Sequence, residues 1–187
     1  MPAIELHTAR TILTAPTLDD VPAIFEACQD PSIQRWTTVP APYKREHAVG
    51  FVEHVTQAWE SGEEHTWAIR HAGVLCGMIG LIRQEPGAAE IGYWVSPTAR
   101  GQGLFAEAGR AVLDWGFAAH GGELERIEWR AYAGNVPSAY SARALGFRYE
   151  GHLRRGLPQR GKRFDGWIAG LLAVDDREPR PWPVLNG

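Results

Sequence analysis

Disulfide and metal chemistry have little to work with in this chain. Its 187 residues hold two cysteines, Cys28 and Cys76, without paired spacing, so two reduced and mostly buried thiols are expected. Seven scattered histidines form no His-Glu-x-x-His and no Cys/His cluster, so neither a structural nor a catalytic metal is expected. No apolar run approaches the ~20 residues that span a bilayer, and no membrane association is expected. The opening Met1-Pro2-Ala3-Ile4-Glu5-Leu6-His7 lacks a basic stretch followed by a hydrophobic core. That argues against a signal peptide and for a cytoplasmic protein. A net charge of −3 gives no basic field, which speaks against nucleic acid as a partner. No Lys-Ser or Lys-Thr pair occurs, so a P-loop is excluded. Repeats, linkers and low-complexity tracts are missing as well.

What remains is enough for one well-buried domain, at 44% hydrophobic residues. We read residues 1–174 as that domain and 175–187, with three prolines, as an extended tail. A strand at 11–14 precedes a helix started by Thr17 and Asp20, with Val21, Ile24, Phe25 and Cys28 on one face. Asp30-Pro31 ends that helix, and 32–43, which holds Trp36, reads as loop. A helix over 44–60 closes at Ser61-Gly62. Strands at 66–70 and 74–82 flank His71-Ala72-Gly73, a hairpin signal. A further strand at 89–95 leads to a helix over 104–119, whose packing face is Ala108, Ala111, Val112, Trp115 and Ala119. A strand at 127–132 then completes a strand-helix-strand unit with a parallel crossover. A short helix after Asn135 and strands at 147–153 and 166–174 finish the pattern. The class is α+β: a mixed, mostly antiparallel sheet of about seven strands with four helices. Five tryptophans, Trp67, Trp94, Trp115, Trp129 and Trp167, are read as core.

Chemistry concentrates where the strand at 89–95 breaks at Pro97 and Arg100-Gly101-Gln102-Gly103 opens a helix at Leu104. Gly101 and Gly103 allow left-handed backbone and close approach of converging N–H groups. The helix start adds orphan donors and the positive end of its dipole, and Arg100 adds a full charge. These features describe a pyrophosphate cradle. Gly101-Gln102-Gly103-Leu104-Phe105-Ala106 nearly matches a dinucleotide fingerprint, but the end of the next strand carries no acid for a ribose.

Arg100, Gly103 and Phe105 fall on the marked places of Arg/Gln-x-x-Gly-x-Gly/Ala. The loop therefore resembles the acetyl-coenzyme A loop of the GNAT superfamily of N-acetyltransferases. Phe105 departs from Gly/Ala, and a bulky residue there is familiar in the branch that resembles RimJ and RimL. Asn135-Val136-Pro137-Ser138, followed by Gly146-Phe147, is similar to a second GNAT motif. Ala142 stands where many relatives carry a Tyr that protonates the leaving thiolate. Gly146-Phe147-Arg148-Tyr149-Glu150-Gly151 and Arg154, with Gly161 and Asp165 further on, also resemble the RimJ/RimL branch. Glu150 and Arg154 are read as an ion pair rather than as catalytic groups.

The resemblance implies the GNAT fold, in which the strand at 91–95 bulges and splays to admit the pantetheine arm. It implies acetyl-coenzyme A as cosubstrate, with Val95, Arg100, Gly101, Gln102, Gly103, Leu104, Phe105, Asn135 and Ser138 around it. A Val95 N–H would hold the oxyanion. Ser138 is the candidate acid for the thiolate, with helix capping as its alternative role. Glu90 is the candidate base facing the acceptor amine, with a solvated strand-end charge as the alternative. Trp36 borders the acceptor cleft in such a fold. The acceptor expected is a protein N-terminal amine. A small amine (an antibiotic, polyamine or amino-acid derivative) stays open, as does a non-catalytic module that senses coenzyme A. Both a monomer and a homodimer remain open.

Overall fold

Val21, Ile24 and Cys28 recur at helical spacing and are all buried, which turns one face of α1 (Val21–Ala27) into a core. The partner is α3 (Arg45–Ser61), whose Ala48 and Val52 join the same cluster. Gly62 stops α3 in the left-handed conformation, at φ 76°. In the computed structural model, which describes residues 4–185, one element interrupts the expected loop after α1. Pro31–Trp36 is a helix, α2. α1 ends at Ala27, capped by Cys28 and short of the expected Asp30, whose carboxylate instead accepts from the Ser32 and Ile33 amides, at 3.1 and 3.0 Å, while Pro31 takes the first turn of α2. Residues 1–3 of the opening segment and 186–187 of the tail lie outside the described residues.

The strands are β1 (Leu6–His7), β2 (Ile12–Thr14), β3 (Glu64–His71), β4 (Val74–Glu85), β5 (Ala88–Val95), β6 (Arg126–Tyr132), β7 (Arg148–Gln159) and β8 (Lys162–Leu172). They stand in the order β1-β2-β3-β4-β5-β6-β8-β7. With α4 (Leu104–Phe117) and α5 (Val136–Ala144), the described residues hold eight strands and five α-helices. That is one strand more than expected, at Leu6–His7, and one helix more, α2. The chain packs as two compact units, one of residues up to Ile82 with Gly92–Val112, the other of Arg83–Ile91 with residues from Leu113 on.

In the first unit, Ala72 and Gly73, at φ 49° and 77°, make the β3–β4 hairpin. Arg70 forks onto the buried Asp20, each oxygen 2.8 Å from a guanidinium nitrogen. β4 and β5 come so close at Gly77 that a Cβ there would stand 2.3 Å from the Trp94 carbonyl oxygen. A backbone oxygen cannot change rotamer. Gly77→Ala is therefore expected to cost about 3 kcal/mol, the upper end for overpacking, which a denaturant melt would read.

In the second unit, β5 pairs with β6 in parallel, from Ala88↔Arg126 to Ile91↔Trp129, with α4 in the crossover. The helix ends two residues before the expected 119, at Phe117, and Ala119 is exposed rather than packed. Trp129, on one face of β6, packs near Trp182, with ring centres 5.4 Å apart. Trp182 belongs to the tail, yet it is fully buried and its indole N–H donates to the Phe147 carbonyl at 3.1 Å. The long β7–β8 hairpin carries register shifts between Tyr149 and Gly151 and between Leu153 and Leu157. These shifts upset the shared face expected for Glu150 and Arg154. Glu150 instead pairs with Arg126, which reaches it across Gly170, where a Cβ would meet both side chains.

Candidate active site

The first unit contains the Gly-rich turn. After β5 the chain makes a 3-10 turn, Pro97–Ala99, then passes Arg100, Gly101 and Gly103 into α4. Gly101 and Gly103 have φ of 73° and 75°, the left-handed region that glycine enters without steric penalty. Leu104 is buried and anchors the helix start. Phe105 stacks on Tyr93 with ring centres 4.1 Å apart, so the bulky residue ties α4 to β5. Gln102 donates to the Thr98 carbonyl at 2.7 Å.

Arg100 already has partners. Its Nε donates to the Val95 carbonyl at 3.1 Å and its Nη2 to Asp30 at 2.9 Å. Desolvation raises the Asp30 carboxyl, but bonds from Arg100, Ser32 and the Ile33 amide outweigh it and hold the group down to about 2. One carboxylate therefore caps α2 and holds the guanidinium of the turn. Trp36, at the end of α2, is half-buried under the Arg35 guanidinium, 4.6 Å away.

Two residues that sequence reasoning passed over also grip the turn. Arg10, between β1 and β2, donates from Nη1 to the Gln102 carbonyl at 3.0 Å and from Nε to Glu107 at 2.8 Å. Glu107, in the first turn of α4, also accepts from Thr8 and from the Arg10 amide. Those bonds, Thr8 first, hold the Glu107 carboxyl down to about 2. A depressed carboxyl contributes stability that is complete above the unfolded Glu value and is lost as the pH falls toward the folded one. The clamp is thus intact at any neutral pH. No local motif announces Arg10, which meets the turn only through the fold.

The second unit contains Glu90, Asn135 and Ser138. Glu90 lies beside Glu128 in the parallel register, with the Arg130 Nε 3.7 Å from its carboxylate. Burial pushes the Glu90 carboxyl above its ordinary value, Arg130 pulls it down and the Glu128 charge raises it further, for a net upward shift. Arg130 and Arg126 also bind Glu128, and Arg126 binds Glu150, so Glu90 ends a ladder of charges on one face. On the opposite face Trp129 donates its indole N–H to the Ser138 hydroxyl oxygen at 3.1 Å. Asn135, 8% exposed, caps α5 by accepting from the Ser138 amide at 3.4 Å. The structure joins Asn135 to Ser138 but not to Glu90, which projects from the other face. Ala142, where a Tyr is common in relatives, is buried in the core. Tyr140, two positions earlier, is exposed and lies under the Arg143 guanidinium, 5.0 Å from its ring centre.

Residues 10–148 match the family model described as an acetyltransferase (GNAT) domain. The chain belongs to the GNAT family. This GNAT enzyme, an acyltransferase, is 27% identical over 171 residues to the uncharacterized N-acetyltransferase p20 of Bacillus licheniformis, covering 89% of this chain and 95% of that one. It is 36% identical over 83 residues to the ribosomal-protein-serine acetyltransferase of Escherichia coli (strain K12), covering 43% and 45% of the two chains. Its fold matches that of RimL, a ribosomal L7/L12 alpha-N-protein acetyltransferase solved in complex with coenzyme A. The TM-score is 0.81 at 20% identity, over 90% of this chain and 98% of RimL.

If this turn holds coenzyme A, one substitution tests it directly. Gly103→Val forces a β-branched residue to φ near 75° and places its Cβ 3.4 Å from the Arg10 Nη2. It is expected to raise the coenzyme A dissociation constant at least tenfold, or roughly 1.4 kcal/mol, by calorimetry on folded protein.

Proposed function

We propose that the GNAT enzyme acetylates a protein or peptide N-terminal amine, using acetyl-coenzyme A in a ternary complex and direct attack. The Arg-Gly-Gln-Gly turn at the head of α4, with both glycines left-handed, carries the cofactor part of this reading. Left-handed glycines and a helix start suit a pyrophosphate. The acceptor part rests on the likeness to the Escherichia coli ribosomal-protein-serine acetyltransferase and on the residues from Gly146 to Arg154.

Acetyl-coenzyme A supplies an activated thioester, and the protein supplies binding, polarity and proton transfer. An N-terminal amine must lose a proton to attack, and Glu90 is the proposed acceptor of that proton. Burial and the neighbouring Glu128 raise its carboxyl, which makes it a stronger base than an exposed Glu. Ser138 is the proposed donor to the departing sulfur: an oxygen that accepts from Trp129 still carries its own proton. A Val95 N–H is the proposed oxyanion donor, its carbonyl being engaged by Arg100.

Thiol release from acetyl-coenzyme A over a panel of N-terminal peptides and small amines tests the reading. Peptide-dependent turnover is expected. Turnover on small amines alone would move the acceptor to that class, and binding without turnover on any amine would leave a coenzyme A sensor.

A further inference from the structure

Arg10 is unusually constrained for an exposed arginine. Its side chain is 48% exposed, and surface arginines ordinarily keep much of their rotamer freedom. Here the backbone N–H donates to Glu107 at 2.6 Å, and the carbonyl accepts from the His71 ring at 2.8 Å. The guanidinium binds Glu107 through Nε and the Gln102 carbonyl through Nη1. One planar group is thus pinned between the first turn of α4 and the middle of the Gly-rich turn.

The consequence follows from peptide geometry. In a planar trans peptide the C=O and N–H point in opposite directions. With the Gln102 carbonyl turned to Arg10, the N–H of that same peptide, on Gly103, points away from Arg10. Gly103, on the N–H side of this peptide, sits at φ 75°, where glycine meets no Cβ penalty in either orientation, so the partner that its carbonyl finds helps to decide which way the peptide faces. The alternative orientation would present a carbonyl oxygen, a repulsive partner, to an anion.

We infer that Arg10 is a positioning residue for the cofactor turn, holding the Gln102–Gly103 peptide so that the Gly103 N–H faces the coenzyme A phosphates. Glu107 holds Arg10 in turn, and the Arg10 guanidinium offsets the charge of that carboxylate beside the anion-binding turn. This inference rests on the coenzyme A reading above.

Calorimetric titration of coenzyme A into wild type, Arg10→Ala and Arg10→Lys, at low and high salt, tests it below the melting temperature of all three. Arg10→Ala is expected to raise the dissociation constant about tenfold. Arg10→Lys keeps the charge but not the planar fork that meets Gln102 and Glu107 together, so its defect should be of similar size. Both defects should persist at high salt, where an attraction of charge alone is screened. The Gly103 amide resonance of the unliganded protein should shift in both variants. Wild-type affinity in Arg10→Lys, or a defect that vanishes at high salt, overturns positioning in favour of charge. Wild-type affinity in Arg10→Ala overturns any role. A wild type that binds no coenzyme A overturns the cofactor reading and this inference together.

Discussion

Ser138→Ala is expected to lower kcat by ~10²-fold or more while coenzyme A binding stays near wild type. The hydroxyl matters as sulfur gains charge, so its removal weakens the transition state and leaves the ground-state complex alone. The structure also gives Ser138 a competing structural role, because its oxygen accepts from Trp129 and its amide binds the Asn135 cap. Removing the oxygen takes an acceptor from a buried indole N–H, at a cost of about 1–3 kcal/mol. Melting point and kcat on the same preparation separate the roles. A lower melting point with unchanged kcat would sink the acid role. Ser138→Thr, which keeps the hydroxyl, should retain most of the rate if the proton is what counts.

Local signals carried the sequence reading a long way, and its misses share a cause. The helix stripe of Val21, Ile24 and Cys28, the Ala72-Gly73 hairpin and the strand-turn-helix at Arg100 are all written in consecutive residues, and each stands in the structure. The short α2 was hidden because six residues give too little periodicity, and Asp30-Pro31 can stop one helix and start another. In the tail, Trp182, whose large apolar area argues for burial, fills a core position beside Trp129, a placement that only the fold assigns. The i, i+4 pairing of Glu150 and Arg154 failed because a strand with register shifts does not keep its alternation.

The candidate site divides the same way. Arg100, Gly101 and Gly103 could be named from spacing, since a turn into a helix is a local event. Arg10 could not, because its bond to Gln102 joins positions 92 apart, set by sheet order and not by motif. The Arg100–Asp30 pair, 70 residues apart, was equally hidden. Glu90 was found by resemblance alone. Its burial and its place beside Glu128, the features that alter its acidity, emerge only when β5 is laid against β6.

Glu90→Gln should reduce kcat/KM at neutral pH by ~10²-fold or more, with the deficit greatest at low pH. An alkylamine acceptor is mostly protonated there and depends on a base to become nucleophilic. As the pH approaches the amine's own range, a growing share is already neutral, so the variant should recover part of its rate. Stability should move the other way. The Glu90 carboxyl is raised in the folded chain by burial and by Glu128, so its ionisation opposes folding, and stability falls as the pH rises from the unfolded value through the folded one. Gln carries no charge to desolvate, and above that window Glu90→Gln should melt no lower than wild type. Glu128→Gln offers a graded companion: with one like charge gone, Glu90 should titrate lower and the acidic limb of the wild-type rate profile should shift to lower pH. A Glu90→Gln rate reduced by the same factor at every pH would assign Glu90 to the ladder with Arg130 and Glu128, and would leave a water chain as the proton's route.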